Sequence, residues 1–276
     1  MRILLFLYAA LTLTPLTAFP YAVFAGSIGV PILVPSEEMT AREIMEEQRK
    51  MLDVQSGEGT EEMLLVDKDG NEEKRVLKHY VKKMPDGTRR YLLVFLGPAE
   101  IRGTALLAFE TSDREQNQWL YLPAQKKMQR ISTRCKFQYF MGTDLTFEDL
   151  EPENVDNFNY ELIHTENIGR VKCHVIEAIP ADKEKKRRSG YARRRLWISC
   201  GDLNTLKVDF YDRRNRYFKT MTNEKLLVWR PRKSTIENLD ESHKTIIIGD
   251  KDQVIDEPID DKVFTQEFVL SGEHVR

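Results

Sequence analysis

Apolar and polar residues alternate along most of this chain, and only one stretch shows helical spacing. That stretch opens with Thr40-Ala41-Arg42-Glu43, which has the spacing of a capping box, and Ile44, Met45, Met51 and Leu52 supply its apolar stripe. From Thr60 onward, short runs rich in Leu, Val, Tyr and Phe predict strands over 61–67, 73–83, 88–96, 103–111, 117–123 and 127–132. Asp69-Gly70 and Asp86-Gly87 mark hairpin turns between them. The second half repeats the pattern over 158–165, 170–179, 192–200, 204–211, 214–222, 225–230, 233–239 and 244–250. Residues 254–257 read as extended and 260–264 as a turn or short helix before 266–270. No internal repeat and no flexible linker follows residue 36, so residues 40–270 read as one domain of about twelve strands, with 271–276 a short tail.

Hairpin geometry bears on function. A two-residue turn at Asp86-Gly87 pairs Tyr80 with Leu93 on one face and Val81 with Leu92 on the other, so both faces come out apolar. An antiparallel sheet usually keeps one face wet. Two apolar faces predict that one packs on helices while the other lines a lumen or a partner; a two-layer sandwich core with no cavity is the alternative.

The N-terminus changes the picture. Met1-Arg2 precedes an almost wholly apolar run from Ile3 to Leu13, and no charge occurs from Ile3 through Ser36. Residues 1–25 read as a signal peptide, with Val23 and Ala25 placed for cleavage before Gly26, and 26–39 as a Pro-containing segment. A retained anchor is the alternative, although Pro15, Pro20, Pro31 and Pro35 interrupt the run. No Cys stands near the cleavage site, and nothing after residue 36 is long and apolar enough to span a bilayer. The 276 residues carry a net charge of −2 with 31% charged side chains, so no overall positive field exists and nucleic acid is excluded as a partner.

Export permits disulfides, and three cysteines remain, Cys135, Cys173 and Cys200. If 171–179 and 194–200 are the arms of one hairpin centred near 186–187, Cys173 lies opposite Cys200, predicting a cross-strand disulfide. Three free thiols is the alternative, because a one-residue slip moves both side chains.

Catalytic chemistry is sparse. His79, His164, His174, His243 and His274 form no metal-spaced motif, and no P-loop, dinucleotide fingerprint or nucleophile elbow occurs, so neither metal, cofactor nor enzymatic activity is expected. His174 adjoins Cys173, but neighbours on a strand point to opposite faces. Glu148, Asp149, Glu151 and Glu153 read as a helix cap or a solvated turn. The densest charge run, Lys183 to Arg188 followed by Arg193-Arg194-Arg195, falls at a hairpin tip. There Lys185, Lys186, Arg187 and Arg188 are candidates for contact with anionic head groups in a transient membrane encounter; a solvated loop is the alternative.

Three segments carry a family resemblance: Phe95 to Thr104 (FLGPAEIRGT), Gln118 to Ile131 (QWLYLPA and KMQRI within it) and Phe140 to Leu150 (FMGTDLTFEDL). In this order and spacing, and more loosely through Val208 to Asp212 and Trp229-Arg230-Pro231, the chain resembles the LolA-like outer-membrane lipoprotein-sorting family over residues 40–270. The resemblance implies a mainly β (α+β) fold of the LolA/LolB-like kind: a single curved antiparallel sheet forming an incomplete barrel with a few covering helices. It implies a periplasmic, non-enzymatic carrier of the acyl chains of lipoproteins or phospholipids, working with an RND-type inner-membrane exporter. Leu93, Phe95, Leu106, Trp119, Tyr121, Met141 and Phe147 are then the candidate lining or lid residues, with ordinary core the alternative for each. An envelope sensor of the same fold is the alternative, and a lipid hydrolase would need a nucleophile and base that the sequence does not display. Cys135 to Tyr139 (CKFQY) departs from the small polar residues usual in similar proteins, leaving this loop either mobile or pinned by Phe137 and Tyr139.

Overall fold

The structure is a computed structural model, and it describes residues 39–51, 53–226, 230–250 and 253–275. The predicted signal peptide and most of the segment after it, as well as Leu52 and Trp229, lie outside the described residues.

The capping box forms as read: the Thr40 backbone N–H and hydroxyl donate to the Glu43 carboxylate, and the Glu43 N–H donates back to the Thr40 hydroxyl. It starts helix α1 (Ala41–Met51), whose Ile44 and Met45 are fully buried. The strands follow as β1 (Ser56–Val66), β2 (Glu72–Lys83), β3 (Arg89–Gly97), β4 (Ala105–Glu110), β5 (Gln116–Leu122) and β6 (Lys127–Arg130). After a long connection come β7 (Phe158–Ile168), β8 (Val171–Pro180), the short helix α2 (Lys183–Arg188), β9 (Tyr191–Ser199), β10 (Thr205–Asp212), β11 (Tyr217–Leu226), β12 (Pro231–Asn238) and β13 (His243–Gly249). Strand β14 (Val254–Ile255) and helix α3 (Gln266–Leu270) end the chain. The two strands predicted over 214–222 and 225–230 meet in one strand, β11, with 213–216 in the preceding turn; 227–229 lie outside the described residues.

Each strand pairs antiparallel with its neighbour, and β1 closes onto β13, giving the order β6-β5-β4-β3-β2-β1-β13-β12-β11-β10-β9-β8-β7, with β14 added beside β1. The ends β6 and β7 do not pair, so the sheet is an incomplete barrel. Helix α1 lies on the inner face, where Ile44 and Met45 pack with Ile176, Leu196, Ile198 and Val208. The outer face of β3 to β5 is covered by the C-terminal turns, with Phe264 and Val269 set against Leu92, Val94 and Leu107. The predicted tail belongs to this layer: His274 is buried and its Nε2 meets the Gly103 carbonyl at 2.9 Å.

Register differs from expectation by one residue at two hairpins. Met84 N–H bonds Thr88 O and Gly87, at φ +82°, turns the chain in the left-handed region, so the loop holds three residues, not two. Tyr80 therefore faces Leu92, His79 faces Leu93 and Val81 faces Tyr91. Both faces are still apolar, but their membership changes. The same slip across α2 puts Cys173 opposite Ser199, and Cys200 begins the next turn; all three cysteines are free, so the expected disulfide is absent.

Candidate functional site

The connection between β6 and β7 folds back across the inner face and divides it. Phe140 stacks on Phe95 at 5.7 Å between ring centroids and meets Phe147 edge-on at 5.5 Å, with Met63, Leu65 and Leu77 beneath them. Such pairs contribute roughly 0.5–1.5 kcal/mol each beyond area burial. Polar groups clamp the other side of this plug to the wall made by β9 to β13. Asp149 meets the buried Lys219 ammonium and accepts from Tyr191 Oη; Asp144 meets His243 Nδ1 and Thr245 Oγ1, both at 2.7 Å; Glu148 accepts from Ser189 Oγ and the Gly190 N–H. Carboxylates that read as a cap or a solvated turn are thus buried anchors. A plug held by both walls fixes how much of the interior stays open.

What remains open is a hollow of about 250 Å³ lined by His79, Val81, Tyr91, Leu93, Leu106 and Ala108 and roofed by Leu150 and Pro152. Val81, Tyr91, Pro152 and Arg230 are shared with an adjoining space of about 220 Å³ under α1, bounded by Met45, Gln48 and Val54. Arg49 and Arg89 are shared in turn with an open, charged depression of about 690 Å³. At its edge Glu110 lies 3.3 Å from Arg49 and 3.6 Å from Arg89. An apolar interior with a charged mouth suits an amphiphile that buries its chain and leaves its polar end in water.

Three ionisable groups in the wall are shaped by burial. Burial pushes the His79 imidazole down to about 2, and the Arg230 charge adds to this, so the ring is neutral. Its neighbour Glu61 lies 3.7 Å away and pairs with Arg230 at 2.6 Å. A side chain at Gly59 would meet the His79 ring at 3.0 Å, so glycine on β1 makes the room the imidazole needs. Burial pushes the Glu151 carboxyl up to about 7 against the opposing pull of Lys136, with which it forms an ion pair. Burial also raises Tyr91, keeping its phenol protonated.

Of the expected lining residues, Leu93 and Leu106 line the hollow. Phe95, Met141 and Phe147 belong to the plug and the wall it packs on. Trp119 and Tyr121 face outward, paired with Leu107 and Ala105 on the outer side of β4; Trp119 leans on Phe109 and Tyr121 packs in the C-terminal layer. The alternation of β5 fixes this: Gln118 and Leu120 take the inner positions. The missed residues are His79, Val81, Tyr91, Ala108, Leu150 and Pro152. The first three are hidden by the one-residue register error. Arg230 stood in a recognised motif, but its partner Glu61 is far away in sequence.

The CKFQY departure is pinned: the Tyr139 hydroxyl accepts from the buried Asn238 amide at 2.9 Å, Phe137 packs on Gly190, and Lys136 is buried with its ammonium on the Gln116 carbonyl at 2.7 Å, although both rings keep an exposed face. The basic run is the helix α2, capped by Asp182. Within it Lys185 is engaged by Glu115 and Asn157 and Arg188 by Glu184, whereas Lys186 and Arg187 are exposed. Arg193, Arg194 and Arg195 lie on β9, held by Glu177 and Glu153. Cys173 is buried on the outer face and its thiol is pushed up by burial. Among the described residues no group of His, Cys, Asp and Glu is placed to hold a metal ion, and no helix is long and apolar enough to cross a membrane.

A family profile described only as an uncharacterized protein matches residues 87–270. No curated protein matches the chain. Among solved structures, a domain described as an outer membrane lipoprotein-sorting protein from Vibrio parahaemolyticus is 26% identical, with a TM-score of 0.76, covering 83% of this chain and 98% of its own. A DUF1329 family protein from Desulfovibrio piger is also 26% identical with a TM-score of 0.76, over 83% and 97%. A LolA superfamily protein from Nitrosomonas europaea shares the fold at 20% identity and a TM-score of 0.65, over 83% and 99%.

Proposed function

This chain belongs to the LolA-like outer-membrane lipoprotein-sorting family, and from that premise we propose that it is a non-enzymatic carrier of acyl chains, borne by lipoproteins or phospholipids, in the periplasm. The observation that carries the reading is the pair of adjoining, largely apolar hollows between Leu106 and Met45, set beside the charged depression around Arg49 and Arg89. Each methylene moved from water into it contributes about 0.8 kcal/mol, so covering about six gives ~5 kcal/mol. That corresponds to a dissociation constant of roughly 0.2 mM, tight enough to hold a chain and weak enough to release it to a better acceptor. No covalent step is required. The N-terminal segment supplies export, and the donor is an inner-membrane exporter of the RND type.

Native mass spectrometry of protein isolated from the bacterial envelope tests this. A carrier arrives with lipid or acylated protein bound and gives it up when acceptor vesicles are added. A cargo-free protein, or one whose lipid never exchanges, contradicts the carrier role; exchange-resistant lipid that alters affinity for a regulatory protein supports a sensor instead.

A further inference from the structure

We propose that the surface around Phe137 and Tyr139 docks the protein on anionic phospholipid bilayers, a role that stands apart from what the hollow carries. Phe137 is 42% exposed and Tyr139 37%, and both rings border one open depression of about 390 Å³ with Arg213 and Arg214. Arg213 lies over the Phe137 ring at 4.8 Å and donates to the Ser189 and Arg187 carbonyls, which ties the turn after β10 to α2. Phe137 also reaches the Gly190 backbone, where an added Cβ would lie 3.0 Å from its own. Three separate elements therefore meet at the two rings.

Their charge is predominantly positive. Arg134 in the turn before Phe137, Lys183, Lys186 and Arg187 on α2, and Arg214 are all exposed, and among the described residues none is held in an ion pair. Most nearby acids are already engaged: Glu184 by Arg188, Glu115 by Lys185, Asp212 and Asp240 by Arg216, and Asp182 as the cap of α2; Glu241, whose charge reaches the Tyr139 phenol, is exposed and is the exception. A chain of net charge −2 thus concentrates unpaired cations at one place. Long side chains from three elements around protruding aromatic rings match a continuous negative surface at head-group depth. Phe137 and Tyr139 sit on the same segment as the plug, so docking acts on the element that bounds the hollow.

The test is sedimentation of the full chain with vesicles of phosphatidylglycerol and phosphatidylethanolamine, against vesicles of phosphatidylcholine. Binding is expected only to the first, and is expected to weaken as NaCl rises from about 0.05 to about 0.5 M. Each basic residue near such a surface is worth roughly fivefold in affinity, so Lys183→Ser/Lys186→Ser/Arg187→Ser lowers it roughly 100-fold. Phe137→Ser also weakens it, while Lys172→Ser/Lys262→Ser, at the β7–β8 turn and in the C-terminal layer, leaves it unchanged. Leu106→Trp, which fills the hollow, retains vesicle binding, so docking and cargo binding can fail separately. Equal binding to neutral vesicles, insensitivity to salt, or wild-type binding by the triple variant would overturn the proposal. Capture of polyglutamate but not of vesicles would overturn it too, reassigning the patch to an acidic protein.

Discussion

Lys219 on β11, with its side chain wholly buried, holds its ammonium 2.6 Å from an Asp149 carboxylate oxygen and 2.6 Å from Tyr191 Oη. This joins the plug to the wall across the hollow. Removing one partner leaves a buried charge uncompensated, which costs about 3–5 kcal/mol. Lys219→Met is therefore expected to lower the melting temperature by about 10 °C. Lys219→Met/Asp149→Leu is expected to regain part of that loss, because neither charge is then stranded. A single variant that melts like the parent would show that the clamp does not hold the plug.

Trp119 separates outer packing from the hollow. Its ring packs on Phe109 at 4.9 Å between centroids, and Arg130 lies over it at 5.9 Å. Trp119→Ala is expected to cost about 2 kcal/mol in urea unfolding, below the range for a fully buried ring. It should leave binding of a fluorescent fatty acid unchanged. Lost probe binding at unchanged stability would place this ring in the site.

Glu151 predicts a pH effect. Its carboxyl titrates near 7 in the folded chain against an ordinary 4.5, so the folded state holds the proton more tightly. The contribution is fully present below pH 4.5 and is lost as pH rises through 7, on the order of 3 kcal/mol. Gln mimics the protonated form. Glu151→Gln should match the parent near pH 4.5 in urea unfolding and exceed it at pH 8. The neutral His79 adds an opposite slope below pH 6.5, but equally in both proteins. Parallel pH curves would contradict the burial of this carboxyl.

The three thiols predict a simple chemical result. Alkylation of unfolded protein, without reductant, should add three labels, because Cys173 faces Ser199. In the folded protein Cys173, buried and with its thiol pushed up, should react slowest. Addition of one label in the unfolded state would reveal a disulfide.

The open sheet was legible because alternation and turn residues are local signals, and the capping box at Thr40 and Glu43 is contained in four residues. The faces were less legible. The loop through Pro85, Asp86 and Gly87 holds one residue more than the dipeptide suggests, and that single residue exchanges Leu92 for Leu93 on the inner wall. The plug is visible in the sequence only as a motif. Asp149 and Lys219 lie far apart in sequence, and nothing local tells a buried carboxylate from a solvated one. Trp119 and Tyr121 misled for the opposite reason, since large aromatic side chains suit a pocket and an outer layer equally well.

A carrier of this shape takes hydrocarbon between α1 and the inner wall. Photo-crosslinking with a diazirine-bearing fatty acid, followed by peptide mapping, tests it most directly. Labels are expected on the inner residues Val81, Tyr91, Leu93, Leu106 and Ala108 and on Pro152 in the roof, with label at Leu93 and Ala108 lost in Leu106→Trp. Labelling confined to outward residues such as Trp119 and Leu92, or unaffected by filling the hollow, would contradict the account.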